Sequence, residues 1–164
     1  MMKTIDTPQL TQHQSSASAM LIASGVRATS ARCQVLAVLL DARRALSHLE
    51  VQMALPDLDR VTLYRALDCL YDAGITHKIP GDDRVFRYST GHEPSSVSTV
   101  SKNQHAHGHF KCTRCTRVFC LDDAQHPDSP NQLWQASLQS ALGAGFLSHE
   151  IELTIKGWCA DCAH

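Results

Sequence analysis

Apolar side chains recur every three or four residues through the first half of the chain and then every second residue. The first spacing puts them on one face of a helix, the second on one face of a strand. Thr7-Pro8 opens the first helical stretch, with proline where its missing N–H costs nothing. Leu10, Ala17, Met20, Leu21 and Ile22 form its apolar side, and Gly25 ends it. Ser30 is expected to cap a second helix carrying Cys33, Leu36, Leu39 and Leu40. Ser47-His48-Leu49-Glu50 is a capping box, in which serine hydroxyl and glutamate carboxylate satisfy two otherwise orphaned amides. It starts a short third helix that Leu55-Pro56 stops. Asp57 or Asp59 caps a fourth helix that ends at Gly74, with Leu63, Leu67 and Leu70 inward and Val61, Arg65 and Asp68 on another face. Ile75 to Ile79 and Val85 to Tyr88 then alternate on either side of Gly81-Asp82-Asp83, a hairpin turn. Helices followed by a short hairpin are the outline of a winged helix, the DNA-binding domain expected over residues 1–88.

Residues 89–104 are polar and rich in Ser and Thr, and read as a linker. A second domain over 105–164 combines short strands around Cys112–Cys115, a helix opened by Ser129-Pro130 and a half-buried strand from Glu150 to Lys156. That helix carries Leu133, Trp134, Leu138 and Leu142 and ends at Gly143 or Gly145. The expected fold class is α+β, a winged helix followed by a small α/β domain.

Hydrophobic residues make up 43% of the 164 residues, which suits a packed core rather than a disordered chain. No apolar run approaches the roughly 18 residues a membrane span needs. The opening MMKTIDTPQLTQHQSS lacks the apolar core of a signal peptide, so the cytoplasm is the expected compartment. Basic and acidic residues balance, 15 against 16, so any nucleic acid must be held by a local patch and not by a global field.

Seven cysteines change the picture. In a reducing compartment, cysteine pairs read first as metal ligands. Cys112-x-x-Cys115 and Cys159-x-x-Cys162 each aim two thiolates at one point, and together they complete a tetrahedron suited to zinc. Four thiolates leave no open position for water, so this zinc is structural. Two redox-active dithiols are the competing reading.

His105-Ala106-His107-Gly108-His109 precedes the first knuckle, and on a strand its three imidazoles share a face. Cys120 lies on the strand leaving the knuckle, and His77 lies in the hairpin of the first domain. A regulatory zinc site drawn from His77, His105, His107, His109 and Cys120 would bridge the two domains and fix their relative angle. A solvated polar strand and a buried thiol are the plainer readings of the same residues. Cys33 and Cys69 fall in apolar helices and read as core. No carboxylate is placed as a general base beside the histidines, so an enzyme is not expected. On the fourth helix, Arg65 can reach guanine, Tyr64 a thymine methyl or phosphate, and Arg60 and Thr62 phosphates. Spacing alone supports this weakly, since exposed helical arginine is commonly just solvated.

Val61-Thr62-Leu63-Tyr64-Arg65-Ala66-Leu67 with Asp72-Ala73-Gly74-Ile75 resembles the reading-helix stretch of the ferric uptake regulator superfamily. So do Gly25 to Thr29, His107-x-His109-x-x-Cys112-x-x-Cys115, and Gly145-Phe146 leading to the last Cys-x-x-Cys. Tyr64 to Asp68 and His77-Lys78 are most similar to its zinc uptake regulator branch. The resemblance implies a homodimeric repressor, paired through a zinc-stapled dimerisation domain at residues 105–164, that binds palindromic operators of zinc-uptake genes when zinc is plentiful. It also implies base reading by Tyr64 and Arg65. There are departures: Thr29-Ser30-Ala31-Arg32 replaces the usual Thr-Pro-Gln-Arg, Ser89 stands where Cys or Glu is usual, and Cys120 where Glu is common. Ala106 and Gly108 fall where a further family metal site would need ligands. An iron- or peroxide-sensing member of the superfamily is the alternative. A metal-storage or adaptor module, with the helices serving protein contacts, is a further one that a DNA-binding assay separates.

Overall fold

The computed structural model describes residues 7–90, 108–121, 137–143, 145–146 and 153–163, with residues 7–12 as backbone only. It is α+β. The first lobe runs α1 (Thr7–Ala23), α2 (Ser30–Ala42), β1 (Leu46–Ser47), α3 (His48–Ala54), α4 (Arg60–Asp72), β2 (His77–Pro80) and β3 (Phe86–Ser89). The second contains β4 (Gly108–Cys112), β5 (Val118–Leu121), β6 (Leu153–Gly157) and a 3-10 turn at Ala160–Cys162.

Local hydrogen bonding sets the helix starts. Thr29, not the expected Ser30, caps α2: its backbone is extended and its hydroxyl accepts from the Arg32 N–H at 3.4 Å. Ser30 is the first helical residue and accepts from the Gln34 amide at 2.8 Å. The Ser47 capping box forms in both directions, Ser47 N–H to Glu50 at 2.8 Å and Glu50 N–H to the Ser47 hydroxyl at 3.3 Å. A capping residue must be extended, and Leu46 and Ser47 use that conformation to add the strand β1, which hydrophobic periodicity did not foreshadow. Asp59 is the cap of α4, accepting from Thr62 N–H at 3.0 Å. Gly74, at φ +71°, then turns the chain out of the helix. Ile75 and Thr76 belong to that turn and not to the hairpin, because both amides donate to the Leu70 carbonyl.

β3 lies between β1 and β2, antiparallel to both. Its last residue, Ser89, pairs with His77, so the strand passes the boundary expected at residue 88. Leu21, Val35, Leu36, Leu39, Val51, Leu63, Leu67 and Leu70 fill the core between the helices. Each such side chain is worth roughly 1.5–3 kcal/mol of burial. Cys33 packs partly buried against this core, and Cys69 is half-buried.

In the second lobe β4 is central, antiparallel to β5 and parallel to β6. Residues 137–142 are helical, but Leu142 is exposed there, so this part of the expected apolar helix face looks outward. Most of the 89–104 linker, Leu133, Trp134 and residues 150–152 of the expected strand lie outside the described residues. The lobes touch directly. The Ala45 N–H donates to the Val118 carbonyl at 2.9 Å, and Ala45, Ile79 and Val118 form a small buried cluster with Cys120 against it. Among the described residues, no helix is long and apolar enough to cross a membrane.

Leu67→Ala should lower unfolding free energy by about 2–5 kcal/mol, because it empties a fully buried site. Val61→Ala, on the exposed side of α4, should change it by no more than about 0.5 kcal/mol. Urea denaturation of both variants checks the assignment of the two faces.

Candidate functional site

The parallel pairing of β4 and β6 puts Cys112 opposite Gly157, two residues before Cys159. Both chain segments then turn, and all four knuckle sulfurs come within 4.8 Å of one another. Cys115 and Cys159 sulfurs are 3.6 Å apart, close to the roughly 3.8 Å edge of a tetrahedron with Zn–S bonds of 2.3 Å. The donor set therefore fits zinc.

Backbone amides prepare the site for thiolates. The Cys115 amide, with help from Cys159 N–H at 3.3 Å, pulls the Cys112 thiol down to about 6. Crowding then works the other way. Hydrogen bonding to the neighbouring Cys159 sulfur, with burial, pushes Cys162 up to about 12, and burial raises Cys115. A group of sulfurs that cannot all ionise alone is one that a divalent cation stabilises. Arg114 braces the two knuckles by stacking 3.7 Å over the Trp158 ring and donating to the Cys162 carbonyl, and Arg117 pairs with Asp161.

A second cluster sits at the seam between the lobes. His77 from β2, His109 from β4 and Cys120 from β5 offer ligand atoms within 4.8 Å of one another. Strand register explains their meeting. His109 is the cross-strand partner of Cys120, and His77 is the partner of Ser89. Facing each other, the two pairs bring His77 Nε2 to 3.1 Å from the Cys120 sulfur, whose thiol donates to the Ser89 hydroxyl at 3.2 Å. The His77 and His109 ring centroids are 6.0 Å apart. Imidazole and thiolate donors suit zinc better than they suit magnesium or calcium. His105 and His107 lie outside the described residues, as do His92, His126 and His149.

The third surface is the outer face of α4. Leu63, Ala66, Leu67 and Leu70 are buried inward, which turns Arg60, Tyr64 and Arg65 to solvent and leaves Thr62 half-buried. The His48 ring packs at 5.1 Å from Tyr64, a contact between α3 and α4 that spacing along either helix does not reveal. Ser89, which the family resemblance marked as a departure from the usual Cys or Glu, is brought by strand pairing into contact with Cys120.

Comparison with known proteins agrees with this architecture. The profile of the ferric uptake regulator family matches residues 23–154. The transcriptional regulator FurA of Mycobacterium tuberculosis is 32% identical over 113 residues, which cover 69% of this chain. The match spans 65% of that relative's length. Among solved structures, a zinc uptake regulator complexed with zinc and DNA superimposes with a TM-score of 0.63 at 23% identity, covering 97% of each chain. The holo form of XcZur gives a TM-score of 0.59 at 29% identity, covering 92% of this chain and 98% of that one.

A zinc ion held by these four sulfurs should be coupled to folding of the second lobe, because its ligands join the ends of β4 and β6. Circular dichroism during titration with a strong chelator checks this, and a folded second lobe in metal-free protein would contradict the assignment.

Proposed function

The chain belongs to the ferric uptake regulator family, and from that premise we propose that it is a zinc-responsive transcriptional repressor. It acts as a homodimer on palindromic operators of zinc-uptake genes, and it is not an enzyme. The observation that carries this reading is the cluster of His77, His109 and Cys120, drawn from two lobes. Cys112, Cys115, Cys159 and Cys162 hold a structural zinc. His77, His109 and Cys120 hold a regulatory one, with His105 or His107 supplying a further ligand.

A bound Zn2+ supplies positive charge that thiolate and imidazole donors share. The rest belongs to the chain. His77 lies on the hairpin that follows α4, so holding it against His109 and Cys120 fixes the reading helix relative to the second lobe. In a dimer, that angle sets the spacing of two reading helices, and half-site spacing on DNA is a geometric match. Loss of the cluster frees the angle and lowers the DNA-competent population. Tyr64 and Arg65 read bases, and Arg60 and Thr62 contact phosphates. Arg60 and Arg65 are exposed on one side of a helix whose other side is locked in the core, which supports that division.

A second reading, response to iron, is favoured by the ferric uptake role for which the family is named. Cys120 argues for zinc, since iron(II) sites favour more oxygen donors. Competition between the two metals for the seam site decides between them.

Operator binding should tighten when zinc fills a second site beyond the four-cysteine ion. Cys120→Ser should abolish that response and leave one zinc and a folded protein. Fluorescence anisotropy beside zinc stoichiometry checks this, and equal operator affinity with one and two zincs refutes the proposal. Arg65→Ala should cost roughly 1–3 kcal/mol of operator binding and relax preference at one base position, whereas an equal loss on every sequence would make Arg65 a phosphate contact.

A further inference from the structure

The hairpin touches the second lobe at its tip as well as at His77. Gly81, Asp82, Asp83 and Arg84 form the turn between β2 and β3. Asp82 accepts from Lys156 at 2.8 Å and lies 3.8 Å from Lys111. Lys111, only 13% exposed, also donates to the Pro80 carbonyl at 2.9 Å. These lysines are direct partners on β4 and β6. Two ammonium groups opposite each other on a sheet repel, and Asp82 offsets that repulsion from the other lobe.

Deeper in the turn, the Arg87 guanidinium is 7% exposed. It is gripped by both Asp83 oxygens at 2.9 and 2.8 Å and reaches the Thr116 hydroxyl at 3.3 Å. Thr116 follows Cys115 directly and sits at φ +60°, a strained conformation for a β-branched residue. Gly81 suits this turn because a Cβ would meet the Val85 carbonyl at 2.7 Å, and would also displace the Asp83 carboxylate and the Arg87 guanidinium. The turn is therefore shaped around an arginine aimed at the other lobe.

We propose that this turn is a clasp, in which Asp82, Lys111 and Lys156 are positioning residues that hold His77 against Cys120 and thereby set the metal affinity of the seam site. The proposal rests on the reading of that cluster as the sensor. None of the three residues is a ligand. An exposed ion pair alone contributes little, but this one adds to the half-buried Lys111 and buried Arg87 contacts across the same seam. Apparent affinity falls in proportion to the fraction of molecules whose ligands stand together. Lys156 also holds the Asp82 carboxyl below its ordinary range, as expected of an occupied pair.

Asp82→Lys places a third ammonium beside Lys111 and Lys156, on an exposed residue whose replacement leaves the core intact. In the full chain carrying its four-cysteine zinc, this variant should bind a second Zn2+ about tenfold more weakly. The exchanged pair Asp82→Lys with Lys156→Asp should recover most of the loss. Small-angle scattering before addition of the second zinc should show a larger radius of gyration for Asp82→Lys than for the wild type or the exchanged pair. Unchanged zinc affinity in Asp82→Lys, or no recovery in the exchanged pair, overturns the clasp. A wild type that takes up only one zinc refutes the sensor reading instead, and scattering then judges the clasp alone: identical profiles for wild type and Asp82→Lys sink it.

Discussion

Two cross-strand pairs facing each other across the seam are what the rest of the molecule is arranged around. His77 with Ser89 belongs to the hairpin sheet, and His109 with Cys120 to the second sheet. Neither pair is a metal site by itself. Each places two side chains on one face of its own sheet, as cross-strand neighbours must. The cluster exists because the Ala45–Val118 hydrogen bond and the buried contact of Ile79 with Val118 press one sheet against the other. A small relative movement of the lobes would separate the donors while leaving each lobe's core untouched.

That arrangement separates two roles for sulfur. The four knuckle cysteines all lie within the second lobe, on segments joined by β4–β6 pairing, so an ion there would couple to the folding of that lobe. Cys120 is on the same sheet, but its partner His77 is on the other lobe, so an ion there would couple to lobe geometry. The first set is gathered by strand pairing within one lobe, the second by proximity between lobes.

Helix α4 shows how burial on one face dictates which side chains are presented on the other. Leucines at 63, 67 and 70 anchor α4 so firmly that the opposite face has no freedom to choose its residues. Arg60, Tyr64 and Arg65 are presented on a rigid support, which is the condition for reading base edges with side chains of fixed reach. His48, packing on Tyr64 from α3, limits the one aromatic ring in that set.

Hydrophobic period, caps and cysteine spacing determined a good deal unaided. The four helices, the hairpin, the turn within each Cys-x-x-Cys knuckle and the exposed side of α4 all follow from interactions within a few residues of one another, which local sequence encodes, whereas the meeting of the two knuckles depends on β4–β6 pairing. Ser30 in place of Thr29 as a cap was a one-residue error, because both hydroxyls bond within the same turn and only backbone angles distinguish them. Tertiary structure alone decided the β1 strand, the approach of Ser89 to Cys120 and the reach of Arg87 to Thr116. It also decided that Lys111 and Lys156, 45 positions apart, meet one aspartate. These contacts join residues far apart in the chain, and their existence depends on how two sheets register and dock. No short-range pattern of apolar and polar positions records that.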